Sequence, residues 1–498
     1  MEQAVPKTKT GAPPVFSDGY KRLVVAFLLA AYTLNFIDRT IVGVLGQAIK
    51  VDLNLTDTQL GLLGGLAFAI LYTLLGVPIA RLAERWNRVS IISISIVLWS
   101  GFTAACGLAA NFTSLLAMRV GVGIGEAGCS PPSHSLISDY FEPKRRASAL
   151  SVYAFGIPLG ATIGAIAAGA LAQHLGWRAA FMIVGAPGVI LAALIEWVVR
   201  EPPRGHSEPH AVHAAPQAFS MKSEFAEMAA VTKALFGSWP MFNMMMGVTL
   251  VSFAGYGVGQ FSAPYFNRVF GLDYQTVGLI LGLIGGVSAG VGTLAGGFIS
   301  DFASKRDARW YALTPAIGLT LALPFYVGGY MLDDWKTAVV VLSLPAILAY
   351  TYLAPTFAVV QNVVETRQRA TAAAVMLLFL NIIALGGGPL FAGWMIDVLG
   401  QFHFAHPGPH GFLAAVGGAL SGDHGAINFA TACPGGHAPA HAAAALAAQC
   451  SAAEGLATRQ GILVTIGFYA WGAIHYMLAT FGLGKRLAEA RTLSPASA

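Results

Sequence analysis

Charged side chains are scarce in this sequence of 498 residues. Asp, Glu, Lys and Arg make up 11% of it, whereas a soluble domain carries about 25%. Hydrophobic residues account for 56%, and the mean hydropathy is +0.65. Because so little of the surface can face water, the composition excludes an ordinary soluble protein and favours one whose solvent is lipid.

Several functional motifs are also missing. The four Cys residues show no metal-ligand spacing, so we expect neither a metal site nor a cofactor. No GxxxxGKS or GxxxxGKT sequence is present to cradle a nucleotide phosphate, which argues against ATP-driven pumping by this chain. No His/Asp or Ser/His cluster lies near a predicted membrane interface, so the sequence does not predict a membrane enzyme.

Twelve apolar runs are long enough to cross a bilayer, which takes about 20 residues of helix. They cover residues 22–49, 57–82, 89–110, 112–140, 146–173, 179–199, 238–266, 274–302, 310–331, 337–362, 369–399 and 460–484. We therefore predict an all-α polytopic membrane protein with twelve transmembrane helices, arranged as two six-helix repeats around a central cavity.

The positions of the Lys and Arg residues predict the orientation. Of the 29, 22 fall in the termini and the even-numbered connections, 5 in the odd-numbered connections and 2 inside predicted helices. Cytoplasmic connections carry the basic excess in membrane proteins. We therefore expect both termini in the cytoplasm of a multi-pass protein of the plasma or bacterial inner membrane. The net charge of +5 follows from this bias and needs no nucleic-acid partner.

Similar landmarks recur in the two halves of the chain. Glu142-Pro-Lys-Arg-Arg146-Ala-Ser-Ala follows the fourth predicted helix, and Glu365-Thr-Arg-Gln-Arg369-Ala-Thr-Ala follows the tenth. Ala80–Glu84 and Gly297–Asp301 close the second and eighth helices in a similar way. Parallel six-helix repeats occur in secondary transporters, whose substrate site lies between the repeats near the midplane.

The repeat divides the chain into three parts. We predict an N-terminal six-helix half at 1–200, a cytoplasmic linker at 201–237 and a C-terminal half at 238–498, with an external loop at 401–458. Within the linker, Phe219–Lys233 can form an interfacial helix. Cys433 and Cys450 lie in the external loop, where an oxidising environment allows a disulfide, although the sequence leaves open whether they are bridged.

Two segments carry a family resemblance. Ala80-Arg-Leu-Ala-Glu84-Arg85-Trp-Asn87-Arg88 resembles the signature that follows the second helix in the major facilitator superfamily, with Ala80, Glu84 and Asn87 departing from its usual Gly, Asp and Gly. Leu115-Leu-Ala-Met-Arg119 is similar to the fourth-helix motif of the same superfamily. The resemblance implies a monomeric transporter that works by alternating access.

Two further segments point to one branch of that superfamily. Asn35-Phe-Ile-Asp38-Arg39 and Arg119-Val-Gly-Val-Gly-Ile-Gly-Glu126-Ala127 resemble the spinster-like branch. This branch is associated with lysolipids and sphingosine 1-phosphate, and the resemblance implies proton coupling. We therefore expect a proton-coupled transporter of an amphiphilic anionic lipid, with the bilayer, the substrate and protons as its partners. The alternative is a proton-coupled transporter of small organic anions or drugs.

Four charges lie inside predicted helices. They are Asp38, Arg39, Arg119 and Glu126. A charge at mid-helix costs about 2.5–3.5 kcal/mol on insertion scales, and such charges usually serve substrate or proton pathways. The alternative is that they form packing ion pairs between the first and fourth helices.

On the functional interpretation, the two carboxylates carry the proton and the two arginines bind the substrate. We expect Asp38, paired with Arg119, to be the proton carrier, with Glu126 as the second candidate. Protonation of a carboxylate releases its arginine partner, Arg39 or Arg119, to meet an anionic headgroup. Asn35 and Tyr32 of the first helix are further candidate substrate contacts.

A second group of charges lies at predicted cytoplasmic helix ends. We expect five residues to act as a gate there: Glu84, Arg85, Arg88, Asp139 and Asp301. A carboxylate near a helix N-terminus gains about 0.3–1 kcal/mol from the helix dipole, so such contacts can hold the cytoplasmic side shut. The alternative is that these are loop charges that only set the topology.

The helices of the C-terminal half offer aromatic residues instead of charges. Among these are Phe253, Tyr256, Phe261, Tyr326, Tyr350, Tyr352, Phe357 and Phe379. An ionic half that faces an aromatic half suits an amphiphile with a charged head and an apolar tail. The alternative is that most of these aromatic residues face lipid or the core.

Overall fold

The computed structural model describes residues 16–207, 221–365, 368–423 and 425–493. All regular secondary structure in these residues is helical, which confirms the predicted all-α class. Part of the predicted linker, together with Lys7, Lys9 and Arg367 of the predicted cytoplasmic side, lies outside the described residues.

Six transmembrane helices form the N-terminal half. They are α1 (Asp18–Val44 continued by Gly46–Leu53), α2 (Asp57–Gly64 continued by Leu66–Ala83), α3 (Arg88–Cys106), α4 (Phe112–Glu126 continued by Ser130–Tyr140), and α5 with α6 (Pro143–Ala154 followed by Gly156–Val198). Gly176 separates α5 from α6, because its φ of 80° and ψ of 162° interrupt the long run. Such a positive φ is readily available to glycine alone.

Six more helices form the C-terminal half. They are α7 (Trp239–Phe270), α8 (Tyr274–Leu281, Gly282–Val287 and Ser288–Ser304), α9 (Trp310–Met331), α10 (Trp335–Ala349, Tyr350–Tyr352 and Leu353–Asn362), α11 (Arg369–Phe379, Leu380–Gly386 and Gly387–Ala405) and α12 (Ala444–Leu493). Ten helical runs in the described residues are long and apolar enough to cross a membrane. One of these ten runs contains both α5 and α6, and α4 is not among the ten because it is split into two shorter helices. All twelve predicted spans are therefore present.

The linker contributes a helix of its own, Met221–Phe236. This linker helix packs on the C-terminal half, where Val231 and Leu235 are buried in that half's core. The ring of Phe236 lies 4.7 Å from the ring of Phe379 in α11. The end of the predicted linker is therefore a packed part of the C-terminal half.

The segment predicted as an external loop, 401–458, is more helical than expected. Helix α11 continues to Ala405, α12 begins at Ala444 rather than near 460, and Phe412–Ser421 forms a short helix between them. The start of α12 is rich in alanine, which has the highest intrinsic helix propensity but contributes little to a hydropathy signal. Cys433 and Cys450 form a disulfide that ties this segment to α12.

We name the two ends of the helix bundle by what they carry. The termini end carries both chain termini, and the loop end carries the 401–458 segment. The Lys and Arg distribution predicts that the termini end is cytoplasmic and that the loop end is external.

The two halves are in backbone contact toward the loop end. A Cβ atom added to Gly61 of α2 would lie 2.1 Å from the carbonyl oxygen of Pro389 in α11, and one added to Gly169 of α5 would lie 2.3 Å from that of Tyr274 in α8. Farther along α2 toward the termini end, a Cβ atom on Gly76 would meet nothing within 4 Å. The close approach of α2 to the other half at the loop end is therefore not repeated at Gly76.

Candidate functional site

The four intramembrane charges form two ion pairs between α1 and α4. Arg119 Nη1 lies 3.1 Å from Asp38 Oδ2, and Arg39 Nε lies 2.8 Å from Glu126 Oε2. Adjacent positions on α1 point about 100° apart, and residues seven apart on α4 share a face two turns apart. Helix α1 therefore presents Asp38 and Arg39 side by side, and α4 presents Arg119 and Glu126 two turns apart on one face. The acid of each helix pairs with the base of the other helix.

The two pairs differ in their access to the surface. The side chains of Asp38 and Arg119 are 3% and 2% exposed, and Thr103 donates a further hydrogen bond of 2.5 Å to Asp38 Oδ1. The Glu126 side chain is fully buried, but that of its partner Arg39 is 21% exposed. The Asp38–Arg119 pair is thus sealed, whereas the Arg39–Glu126 pair reaches the surface through Arg39.

Aromatic rings surround the Arg39 guanidinium. Its Cζ atom lies 4.7 Å from the ring centres of Phe68 and Tyr72 in α2, and 5.1 Å from that of Phe36 in α1. The Phe68 ring also lies 5.9 Å from Arg119 Cζ. Since a cation over an aromatic face is worth about 0.5–2 kcal/mol, Phe68 contributes to holding both arginines.

Some hydrogen-bonding capacity at this centre is unused. Among the described residues, the buried atoms Asn35 Oδ1, Arg119 Nε and Glu126 Oε1 have no protein partner. Most buried polar groups are paired, so three unpaired atoms within one cluster indicate a place where water, a proton or a ligand group can bind.

The remaining predicted substrate contacts occupy different environments. Tyr32 stacks on Tyr153 of α5 at 4.4 Å and is partly exposed, whereas Asn35 is buried. Arg119 is buried as well, so in this conformation Arg39 and Tyr32 are the predicted contacts with accessible surface. Tyr256 of α7 is 42% exposed, so the C-terminal half also has an aromatic side chain with accessible surface.

The predicted gate residues at the termini end form contacts within single halves. Buried Arg88 lies 2.5 Å from Asp139 and 2.6 Å from Glu201, and it joins the start of α3 to the ends of α4 and α6. Glu84 pairs with Arg81 on the same helix at 3.2 Å, and Arg85 is exposed. Asp301 accepts a hydrogen bond of 3.2 Å from the Tyr311 hydroxyl. These contacts do not close the termini end in this conformation.

A buried ion cluster joins the two halves at the loop end. Lys50 of the N-terminal half lies 2.7 Å from Asp57 and 2.8 Å from Glu454, and Arg268 of the C-terminal half lies 2.7 Å from Asp57 and 3.3 Å from Glu454. The four side chains are 5% exposed or less. Each cation thus contacts one carboxylate of its own half and one of the other half, which closes this end.

Comparisons with known proteins agree with this architecture. The model of the family described as Major Facilitator Superfamily matches residues 28–389. The chain belongs to the major facilitator superfamily. A relative described as an MFS-type efflux pump of Mycolicibacterium smegmatis is 36% identical over 75% of this chain and 84% of its own length. The hexuronate transporter of Bacillus subtilis is 27% identical over 82% of this chain and 94% of its own.

A solved structure resembles almost the whole chain. The crystal structure of a bacterial homologue of the human lysosomal transporter Spinster, in an inward-facing and unoccupied conformation, is 33% identical, covers 97% of this chain and 100% of its own, and superposes with a TM-score of 0.80. The predicted spinster-like branch of the superfamily is thereby confirmed. The chain is a membrane transporter and not an enzyme.

The sequence did not predict the loop-end cluster. Lys50, Asp57 and Arg268 lie near helix ends, where a major facilitator chain also carries the charges that set its topology. The sequence contained one usable signal. Lys50 and Arg268 are two of only five Lys and Arg residues in the odd-numbered connections, and Asp57, at the start of the next helix, is an acid close to Lys50 in the chain. No spacing rule, however, connects Lys50 with Glu454, which lies 404 residues away.

Proposed function

We propose that this transporter is a secondary active carrier that works by alternating access and couples proton movement to the transport of an amphiphilic anionic lipid, such as a lysophospholipid or a sphingosine phosphate. The observation that carries the proposal is the Arg39–Glu126 pair. It combines a partly exposed cation, able to bind an anionic headgroup, with a fully buried carboxylate that has one unused oxygen.

The coupling step follows from this geometry. While Glu126 is ionised, it holds Arg39 Nε at 2.8 Å. When Glu126 takes up a proton, the attraction is lost and the Arg39 guanidinium becomes available to a phosphate or carboxylate, which it can bind through two parallel hydrogen bonds. Binding of the anion in turn removes the counter-charge of the carboxylate, which favours the protonated form.

Asp38 and Arg119 repeat the same acid and base one layer away. Because both side chains are sealed and Asp38 also accepts from Thr103, we assign the step next to the substrate to Glu126 and a second, internal proton position to Asp38. Both carboxylates thus keep a role in coupling, and they differ in the exposure of their arginine partners, which is 21% for Arg39 and 2% for Arg119.

Alternating access requires that the two ends open in turn. The ion cluster of Lys50, Asp57, Arg268 and Glu454 supports closure of the loop end in the present conformation. We propose that Glu84, Arg85, Arg88, Asp139 and Asp301 contribute to closure of the termini end in the opposite conformation. Arg88 acts there by fixing the positions of α3, α4 and α6 relative to one another.

A small organic anion is the second candidate substrate. The resemblance to a hexuronate transporter over 82% of this chain favours it, and a carboxylate would engage Arg39 as a phosphate does. The aromatic rings around Arg39 and the exposed Tyr256 suit the apolar part of an amphiphile better than a polyhydroxylated sugar acid, and they support the lipid.

Transport by the purified full-length protein in liposomes tests the proposal. Fluorescent lysophosphatidylglycerol, sphingosine 1-phosphate and radiolabelled glucuronate would be offered with and without an imposed pH gradient. We expect gradient-driven accumulation of a lipid that a protonophore abolishes. Accumulation of glucuronate alone would favour the small-anion alternative, and equal flux with and without the gradient would contradict proton coupling.

A further inference from the structure

Asp397 of α11 caps the first turn of a helix that belongs to the other half. Its Oδ1 atom accepts a hydrogen bond of 2.8 Å from the backbone N–H of Asp57, and its Oδ2 atom accepts bonds of 2.7 and 2.6 Å from the N–H and the hydroxyl of Thr58. Asp57 and Thr58 are the first two residues of α2. The first N–H groups of a helix lack partners within the helix, and a carboxylate there also gains from the helix dipole.

Helix α2 also has a cap from its own chain. The Thr56 side chain accepts from the N–H of Gln59, and the Gln59 side chain accepts from the N–H of Thr56, which forms a capping box. This local cap satisfies the N–H groups of residues 56 and 59 and leaves those of Asp57 and Thr58 free. Asp397 supplies the partners that the local sequence does not.

The cap depends on close contact between the two helices. Gly393 lies one turn before Asp397 on α11, and a Cβ atom there would lie only 2.1 Å from the carbonyl oxygen of Asp57. The absence of a side chain at this position lets the α11 backbone come close enough for Asp397 to reach the start of α2. If the halves separate at the loop end, all three hydrogen bonds must break together.

We propose that Asp397 is an inter-half latch: a helix cap, provided by the C-terminal half, that biases the transporter toward closure of the loop end. The proposal rests on the alternating access of the proposed function, but it assigns Asp397 a role separate from that of the ion cluster. The cap's three donors are uncharged groups of α2. Asp397 has a positioning role, because it stabilises one conformation and does not contact the four intramembrane charges of α1 and α4 or the proposed substrate contacts.

Spin-label distances across the loop end test the latch. The labels would be placed at Ala110→Cys and Lys336→Cys, which are exposed positions in the two halves. The native Cys106 and Cys129 are buried, and the other two cysteines are bonded to each other. Loss of an N-cap shifts an equilibrium by about 2- to 30-fold, so we expect Asp397→Ala to raise the ratio of long to short distances by that factor.

The same half provides a matched control. Asp273 caps the start of α8 with the same chemistry, accepting from the N–H and the hydroxyl of Thr276 at 2.9 and 2.7 Å, but both partners lie in the C-terminal half. Asp273→Ala should therefore leave the cross-end distances as in the wild type. If both variants shift the distances equally, or if Asp397→Ala fails to shift them, the latch is contradicted.

Two gentler variants keep the test decisive if Asp397→Ala does not fold. Thr58→Val removes only the hydroxyl donor of the cap. Gly393→Ala leaves the cap residues unchanged but places a methyl group on α11 where it would clash with the backbone of α2. Both should lengthen the cross-end distances, and an unchanged distribution in both would overturn the latch. Because the readout is a distance and not transport, failure of the latch is distinguishable from failure of the proposed function, which would appear as absent proton-driven flux in the wild type.

Discussion

Arg39 and Glu126 form an ion pair in which one partner is buried and the other is not. The carboxylate is inaccessible, whereas the guanidinium 2.8 Å away keeps 21% of its side-chain surface. In the Asp38–Arg119 pair, by contrast, both side chains are buried. A pair that is open on the cationic side can exchange its buried carboxylate for an incoming anion, and this asymmetry leads to the first two predictions.

The first prediction concerns coupling. A neutral Glu126→Gln variant should lose proton-driven accumulation but keep substrate exchange in the absence of a gradient, because the side chain can no longer carry a proton and Arg39 stays available. One pH unit supplies about 1.36 kcal/mol per proton, and 100 mV supplies about 2.3 kcal/mol per charge. The wild type can therefore sustain a gradient of up to about a few hundredfold if each cycle moves one proton and one net charge.

Asp38→Asn is the companion variant for this measurement. Because Asp38 is sealed beside Arg119, its neutral form leaves a buried arginine without a counter-charge, and such losses cost about 3–5 kcal/mol. We expect lower thermal stability as well as reduced coupling. Full coupling in both single variants and in the double variant would exclude these carboxylates as proton carriers.

The second prediction separates the two arginines. Hydrogen bonds to charged groups are worth about 1.5–3 kcal/mol, so Arg39→Ala should weaken binding of an anionic substrate about 10- to 100-fold. It should also lower the melting temperature, because the fully buried Glu126 loses its partner. Arg119→Ala should lower the melting temperature as well, because Asp38 is left buried and unpaired, but it should leave the affinity nearly unchanged, because the Arg119 side chain is only 2% exposed. Arg39→Lys is the control, because it keeps the charge but loses the planar group that two parallel hydrogen bonds require.

Titration of the detergent-purified variants with the transported lipid, beside thermal melts, measures both effects. Equal losses of affinity in the Arg39 and Arg119 variants, at equal stability, would show that both arginines contact the substrate. That outcome would support a deeper substrate position than the one favoured by the present exposure of Arg39.

The sequence predicted the parts of this molecule that depend on local composition. Apolar run length and the internal repeat were sufficient for twelve helices in two halves, and the cost of an intramembrane charge drew attention to the four residues that form the two ion pairs between α1 and α4. It could not predict contacts that depend on how the halves meet. Lys50 with Glu454, and Asp57 with Asp397, are brought together by tertiary packing alone.

The third prediction concerns the ion cluster at the loop end. Arg268→Ala should shift the population toward opening of that end, because Asp57 and Glu454 would lose one of their two cations and a buried carboxylate without its partner is costly. The spin labels at Ala110→Cys and Lys336→Cys should report longer distances. Arg178→Ala is the control, because Arg178 pairs with Asp52 within the N-terminal half and is 40% exposed, and surface pairs contribute only about 0–1 kcal/mol.

The last prediction distinguishes two predicted gate residues that the structure places in different surroundings. Arg88 is buried between Asp139 and Glu201, so Arg88→Ala should destabilise the fold by about 3–5 kcal/mol and alter the arrangement of α3, α4 and α6. Glu84 is 61% exposed and pairs only with nearby Arg81 among the ion pairs described, so Glu84→Gln should leave the melting temperature nearly unchanged. A gating role for Glu84 would then appear only as a change in the populations of the open and closed conformations.

Spin labels at Arg145→Cys and Arg306→Cys, which are exposed at the termini end of each half, would measure those populations. If Glu84→Gln removes a contact that exists only when the termini end is closed, the long distances between the two labels should gain population. The measurement is made under conditions that favour opening of the loop end. An unchanged distance distribution there would mean that Glu84 sets topology and does not gate.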